Sequence, residues 1–209
     1  DAARRLKRRY GVETSPVAVH TDIPGLAWPT ATALAQAGVR YFSSGPNYMP
    51  NLKPDGGDRI GSTLVEHGDR PFWWVSPSGR ERLLMWVAGR GYSWFHGGSL
   101  GRVGDAATRG ILEYARDLSE RGYPYEMVQV RYTIGGDNGP VDADLPAFVA
   151  SWNERYETPR LVLDSVRELF QAFERRYGAS LPEKKGDLTP YWEDGAISSA
   201  GEEILARAA

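Results

Sequence analysis

The chain alternates short apolar runs with longer amphipathic stretches, as expected when strands and helices follow one another. Runs typical of strands lie at 17–19, 39–42, 126–132 and 160–163, and those at 71–75 and 82–87 predict a hairpin. Amphipathic stretches typical of helices lie at 2–10, 28–37, 105–119, 145–156 and 165–177. This alternation predicts an α/β fold with a mainly parallel sheet and helical crossovers. No change in composition divides the chain, so residues 1–209 are expected to form a single domain.

One loop carries the first candidate for chemistry. It reads Tyr-Thr-Ile-Gly-Gly-Asp-Asn-Gly-Pro-Val-Asp over residues 132–142 and follows the predicted strand 126–132. The glycine pair allows a sharp turn and leaves Asp137 projecting from a strand end, where α/β enzymes place their chemistry. The alternative is a turn in which Asp137 and Asn138 only cap their own backbone.

A second carboxylate, Asp22, stands just past the predicted strand 17–19. Because the carboxyl ends of parallel strands share one edge of the sheet, Asp22 and Asp137 are candidates to face one crevice. Two carboxylates there suit glycoside hydrolysis, in which one attacks or stabilises the anomeric carbon and the other transfers protons. The alternative is that both residues cap loops.

The histidines are a weaker signal. His20 lies two residues before Asp22 and therefore on the same strand face, and a His-x-Asp pair is a reasonable fragment of a zinc site. The alternative for His20 is a hydrogen-bonded structural residue. His67, beside Gly68 and Asp69, reads as part of a surface turn.

Composition removes several classes of function. The net charge is −2 and the basic run at 4–9 reads as a solvated helix face, so a nucleic-acid partner is not expected. No apolar stretch approaches the ~20 residues of a membrane span. The absence of cysteine excludes disulfides and thiolate metal sites and leaves the compartment open, cytoplasmic or secreted and periplasmic. We expect a soluble protein.

Aromatic residues and the chain ends add two expectations. The chain has seven tryptophans and eleven tyrosines, and aromatic loops lie at 72–74, 92–95 and 191–192, with Trp94 and Tyr191 among them. These loops are candidates to line a glycan groove. The alternative is that they pack at the edge of the core. The first residue is Asp1 and the last residues read as part of a helix, so we expect a piece of a longer polypeptide that associates with its other parts.

Three segments together resemble glycoside hydrolase family 38, the zinc-dependent α-mannosidases. They are Leu-Lys-Arg-Arg-Tyr-Gly-Val at 6–12, Val-His-Thr-Asp-Ile-Pro-Gly at 19–25 and Leu-Ala-Gln-Ala-Gly-Val at 34–39. A fourth, Gly-Asp-Leu-Thr-Pro-Tyr-Trp-Glu-Asp-Gly at 186–195, is similar to the family's aromatic sugar-contacting stretch. The resemblance covers most of the chain and is nearest to divergent bacterial members.

The resemblance implies roles for particular residues. Asp22 matches the catalytic nucleophile and zinc ligand, Asp137 the proposed general acid/base, and Trp192 a sugar contact, with zinc as cofactor and a carbohydrate as substrate. It further implies the middle and end of a distorted seven-stranded barrel shared with deacetylases. The chain departs from the family at Leu26, where a histidine usually stands. The family's other zinc ligands would lie upstream and downstream of these residues, so the isolated chain is expected to bind zinc poorly.

Two other functions remain open. The first is a non-catalytic carbohydrate-binding or scaffold relative, favoured by Leu26 and the missing metal histidines. The second is a zinc-dependent polysaccharide deacetylase, which ranks last because no second carboxylate stands beside Asp22 and no His-x-x-x-His pair occurs.

Overall fold

The fold consists of five helices and five strands in the described part of the chain. The computed structural model describes residues 2–11, 15–21, 26–45, 67–89, 102–132, 134, 139–188 and 205. The helices are α1 (Ala2–Tyr10), α2 (Pro29–Gln36), α3 (Asp105–Glu120), α4 (Leu145–Arg155) and α5 (Val166–Tyr177). The strands are β1 (Val17–Thr21), β2 (Tyr41–Gly45), β3 (Phe72–Val75), β4 (Arg82–Val87) and β5 (Glu183–Lys184).

The strands form one mixed, mostly parallel sheet in the order β1-β2-β4-β3-β5. Three neighbouring pairs are parallel, and only β3 and β4 run antiparallel, as the hairpin that the sequence predicts. The carboxyl ends of β1, β2 and β4 therefore lie at one edge of the sheet, which we call the upper edge. The prediction of an α/β fold with a mainly parallel sheet is confirmed.

Each face of the sheet has its own apolar core, because successive strand residues point to opposite faces. One face carries Phe42, Trp74 and Met85 and packs against α2, whose Ala31 is fully buried. The other face carries Tyr41, Leu84 and Trp86 and packs against Phe170 and Phe173 of α5. No helix within the described residues is both long and apolar enough to cross a membrane.

The aromatic run at 72–74 lies in these cores and not in a glycan groove. Phe72 and Trp74 are fully buried on one face, and Trp73 is almost as buried on the other. The prediction that this run lines a carbohydrate surface is wrong, because strand alternation sends its rings into both cores.

Two predicted strands are absent. Residues 126–132 and 160–163 form no backbone ladder in the described part of the chain. Side-chain hydrogen bonds hold both segments instead. Asn153 Oδ1 accepts from the backbone N–H of Leu161 at 2.9 Å, and Asn153 Nδ2 donates to the Leu161 carbonyl at 2.8 Å. Val162 and Leu163 are exposed, so the apolar character of 160–163 did not reflect a buried strand.

The segment 186–188 is hydrogen-bonded to the chain that leads into α2. Leu26 and Leu188 exchange two backbone hydrogen bonds of 3.0 and 2.9 Å, and Asp187 Oδ1 accepts from Trp28 N at 2.6 Å. Leu26 is buried in the core, so the position where the resembling family has histidine carries an apolar packing residue here. A carboxylate at the first N–H groups of a helix stabilises it by satisfying donors that lack helical partners.

We expect Asp187→Ala to lower the free energy of unfolding by about 1 kcal/mol, because the Trp28 N–H loses its acceptor. Asp187→Asn keeps an oxygen at that place and should cost less than half as much. Urea unfolding of both variants measures the difference. Equal stability of Asp187→Ala and the native chain would show that this cap contributes nothing.

Candidate functional site

Most of the predicted site residues fall outside the described part of the chain. These are Asp22, Asp137, Asn138, Trp94, Tyr191 and Trp192, and their predicted roles stay predictions. His20 is described, and so are the segments that lead into and out of both aspartate loops. The geometry of those flanking segments therefore defines the candidate site.

The end of β1, which leads into Asp22, lies at the upper edge of the sheet. Thr21 is its last residue and pairs with Gly45 at the end of β2. The backbone N–H of Ala88, just past β4, donates to the Ser44 carbonyl at 2.9 Å, so β4 ends at the same level. Parallel α/β sheets bind ligands at this edge.

The segment that leads into the Asp137 loop reaches the same edge through Arg131. Its Nη1 donates to the carbonyl of His20 at 3.3 Å. Its Nη2 donates to the carbonyl and to Oγ of Ser43, at 3.1 and 3.0 Å. One guanidinium thus joins β1, β2 and the chain leading to Asp137, across 111 residues of sequence separation from His20.

Gln129 orients this arginine. Its Oε1 accepts from Arg131 Nε at 3.2 Å and from Ser43 Oγ at 2.5 Å. Ser43 is fully buried and Gln129 is 6% exposed. The Gln129 Nε2 is buried without a partner among the described residues. This arrangement fixes the amide orientation, because Oε1 must receive both donors.

The Arg131 side chain is half-buried and has no matching carboxylate in the described part of the chain. Desolvation lowers the pKa of Arg131 to about 10, so the side chain remains protonated at neutral pH. A half-buried cation that no described carboxylate neutralises favours a negative group nearby.

The base of the Asp137 loop is closed by two further contacts. Tyr132 donates its hydroxyl to Asp142, and Asp142 also accepts from the backbone N–H groups of Val103 and Asp144, each at 3.0 Å. The hydrogen bond from Tyr132 and those from the two backbone groups outweigh burial and hold the pKa of Asp142 below its usual range. Asp142 therefore ties both sides of the loop to the beginnings of α3 and α4.

Glycine is required within this closure. A Cβ on Gly139 would lie 1.7 Å from the carbonyl oxygen of Ile134, so the backbone returns almost onto itself there. Ile134 and Gly139 bracket the four residues 135–138. The glycine pair from which the sequence predicts a sharp turn lies outside the described residues, so that turn stays a prediction.

His20 is the one predicted metal ligand that the structure describes. Its ring packs edge-on against Phe42 with centroids 4.9 Å apart, and its Nδ1 is buried with no partner in the described part of the chain. Burial lowers the pKa of His20, which favours the neutral imidazole that binds metals. However, no group of three metal-ligating side chains occurs among the described residues, so they do not by themselves form a zinc site.

A buried carboxyl, in a segment that the sequence predicts as a surface turn, lies at the carboxyl end of β4. Asp69 is 1% exposed, and its Oδ1 accepts from Gly89 N at 3.0 Å while Oδ2 accepts from the Tyr114 hydroxyl. Its backbone N–H donates to the Val87 carbonyl at the end of β4, at 2.8 Å. A Cβ on Gly89 would lie 1.8 Å from Oδ2, so only glycine fits there.

The surface-turn prediction for His67 is also wrong. His67 is 7% exposed, and its Nδ1 lies 3.1 Å from Lys184 Nζ. The turn lies inside because Gly68 forms a bridge with Val87. A short polar sequence such as His-Gly-Asp is typical of a surface turn, and nothing in it indicates that the turn is buried at the end of a strand.

The stretch near Tyr191 and Trp192 begins at the other edge. The Trp28 indole N–H donates at 2.7 Å to the carbonyl of Val75, which pairs with Arg82 at the amino end of β4. Since Asp187 caps the N–H of the same tryptophan, residues 186–188 are held on the α2 face of the sheet. Leu188 also pairs with Leu26, which follows Asp22 by four residues, so the described residues bring the start of this stretch to the segment that leaves the Asp22 loop. They show no contact between residues 186–188 and the segment that leads into the Asp137 loop.

The fold belongs to the class of mostly parallel α/β sheets with polar groups gathered at the carboxyl ends of the strands. No protein-family model matches the sequence, and no curated protein is significantly similar to it. Among solved structures, the fold is similar to that of an alpha-mannosidase from Enterococcus faecalis V583, with a TM-score of 0.57 and 16% sequence identity. The similarity covers 87% of this chain and 19% of the alpha-mannosidase chain. At this identity the likeness shows a shared fold.

We expect the buried Asp69 to make stability depend on pH. Burial raises its pKa despite the hydrogen bonds from Tyr114 and Gly89 and the nearby Trp86 indole, whose nitrogen has no hydrogen bond of good geometry in the described residues. A raised folded-state pKa gives a contribution that is complete below the unfolded value of about 4 and is lost as pH rises through the folded value. Asp69→Asn should remove this loss, so its stability relative to the native chain should increase with pH above about 4.

Tyr114→Phe is the opposing variant. It removes a hydrogen bond to the ionised carboxyl and should make the loss of stability with rising pH steeper. Urea unfolding at several pH values between 4 and 7 measures both effects. Parallel curves for the native chain and Asp69→Asn would contradict the expectation.

Proposed function

We propose that the chain is part of a retaining glycoside hydrolase of the α-mannosidase type that cleaves α-linked glycans. The observation that carries the proposal is the Arg131 guanidinium, which bonds to the His20 carbonyl and to Ser43. Asp22 follows His20 by two residues and Asp137 follows Arg131 by six. The segments that lead into both aspartates therefore meet at the sheet edge where such folds bind ligands.

In the proposed reaction Asp22 attacks the anomeric carbon while Asp137 protonates the departing glycosidic oxygen. The covalent glycosyl-enzyme is then hydrolysed by water that Asp137, now a base, deprotonates. Retention of configuration requires carboxyl groups about 5 to 5.5 Å apart. The close approach of Gly139 to Ile134 supports such a role, because it brings together the two described residues that flank 135–138.

The cofactor is proposed to be zinc, held by Asp22, with His20 as a candidate ligand and the remaining ligands supplied by other parts of the parent protein. Zinc would polarise the substrate's hydroxyl groups. The neutral, unpartnered imidazole of His20 is compatible with ligation. The small share of the Enterococcus chain that this chain covers, 19%, supports a site completed by residues elsewhere.

The finer features of the fold and of sugar binding are proposals as well. The sheet is proposed to be part of a distorted seven-stranded barrel completed by the parent protein. Trp192, Tyr191, Asn138 and Trp94 are proposed to contact the sugar.

We expect Asp22→Asn to reduce turnover of an aryl α-mannoside by the intact parent protein by on the order of 10³-fold or more, while the fold survives. Asp137→Asn should lower kcat/KM about 10² to 10⁴-fold with a poor leaving group and much less with a nitrophenolate, which needs no proton in the first step. Asp117→Asn, on α3, is the surface control. Initial rates, circular dichroism and zinc content are measured together.

The same experiment separates the alternatives. Full activity of Asp22→Asn would eliminate the assigned nucleophile. Glycan binding without any hydrolysis would favour the non-catalytic relative, which the buried Leu26 at the family's histidine position makes the second candidate. Release of acetate from an acetylated glycan would favour the deacetylase.

The loop closure gives a second test of the same site. Gly139→Ala places a Cβ against the Ile134 carbonyl, so residues on both sides must move. We expect kcat to fall about 10²-fold, because a shift of about 1 Å in a catalytic group has effects of this size. Gly104→Ala is the matched control, since its Cβ would meet nothing within 4 Å. Unchanged kcat in Gly139→Ala would separate this loop from the chemistry.

A further inference from the structure

We propose that Arg131 is a positioning residue that holds the two segments leading into Asp22 and Asp137 at a fixed separation. The inference rests on the proposed function and adds a residue that has no carboxylate, imidazole or hydroxyl chemistry of its own. Its side chain links β1, β2 and the segment 127–132, beside the hydrogen bond from Ser43 to Gln129. Arg131 acts through these segments and does not itself react with substrate.

The geometry of the hydrogen bonds selects arginine. Four of its five N–H groups are used: Nε donates to Gln129, one N–H of Nη1 to His20, and both of Nη2 to Ser43. The acceptors are two backbone carbonyls, a hydroxyl and an amide oxygen, distributed over three separate segments. A planar guanidinium presents its donors in a fixed fork, whereas a lysine ammonium is a point charge on a flexible stem.

These bonds replace a missing strand ladder. Residues 127–132 form no backbone ladder in the described part of the chain, so side chains must hold this segment against β2 and β1. Ser43 Oγ and Gln129 Oε1 complete a closed set of bonds around the guanidinium. Buried polar networks of this kind restrict the geometry of the groups that they join.

Arg131 Nη1 donates one N–H to the carbonyl of His20, two residues before Asp22. Its second N–H has no partner among the described residues. The positive charge is likewise unneutralised by any described carboxylate. An N–H donor and a positive charge therefore lie where the segment leading into Asp22 ends. Charged donors of this kind form strong hydrogen bonds to carboxylates and can hold them in position.

The test compares Arg131→Lys with Arg121→Lys, whose arginine makes an exposed pair with Asp117 at 2.9 Å. In the intact parent protein, Arg131→Lys should lower kcat on an aryl α-mannoside by on the order of 10²-fold. KM should stay within about threefold, because the residue does not bind the sugar. Hydrogen exchange followed by mass spectrometry should show faster exchange in segments 17–21 and 127–132 by roughly tenfold or more. Arg121→Lys should change none of these quantities.

Ser43→Ala is the second variant, for the case that Arg131→Lys does not fold. It removes one acceptor of Nη2 and should lower kcat roughly three- to tenfold, with the same exchange pattern to a smaller extent. Unchanged exchange in both segments would overturn the proposal. Faster exchange with an unchanged kcat, or a raised KM with an unchanged kcat, would overturn it as well.

The exchange measurement also separates this proposal from the proposed function, because it requires no substrate. If the native parent hydrolyses no glycoside, the glycosidase assignment fails. Faster exchange in both segments of Arg131→Lys would then still show that the arginine holds them together. Unchanged exchange would reject both.

Discussion

The contact between the Arg131 guanidinium and the ends of β1 and β2 is the constraint on which the upper edge of this sheet depends. It takes the place of a backbone ladder for residues 127–132 and so decides where the following loop begins. The Tyr132–Asp142 bond and the close approach of Gly139 to Ile134 then fix the two sides of that loop. The segments on both sides of residues 135–138 are therefore held by side chains more than by secondary structure.

This arrangement carries an energetic cost that the cores beneath it offset. The half-buried guanidinium of Arg131 and the buried carboxyl of Asp69 lie on the same side of the sheet as Trp86. Desolvation lowers the pKa of Arg131 and raises that of Asp69, which in both cases favours the neutral form. Directly below them Trp86 packs on Phe173 with ring centroids 4.7 Å apart. Apolar burial stabilises the fold by about 25 cal/mol per Å², which allows a polar edge that would not be stable alone. Concentrating costly polar groups at one edge is typical of functional sites.

Local patterns were enough to predict the elements that form by themselves. The hairpin at β3 and β4, the five helices of the described residues and the mostly parallel sheet follow from periodicity and turn residues. The segment 126–132 forms no strand, although its apolar residues alternate as in one. In the structure Met127 and Val128 pack against the core, whereas Gln129 is buried and Val130 is 42% exposed, so burial does not follow the alternation of a strand. The signal for Gln129 and Arg131 in the sequence is that two polar residues stand at alternate positions of an apolar run. Their partner Ser43 lies 86 residues before Gln129, so the sequence does not indicate the contact.

The central claim is that the Asp22 and Asp137 carboxylates meet at this edge. A crystal structure measures it directly, as the distance between the carboxylate oxygens of the two residues. The account predicts a separation of about 5 to 5.5 Å across an open crevice. A separation of about 6.5 to 9.5 Å would contradict the retaining mechanism, and carboxylates farther apart or at opposite edges of the sheet would contradict the site itself.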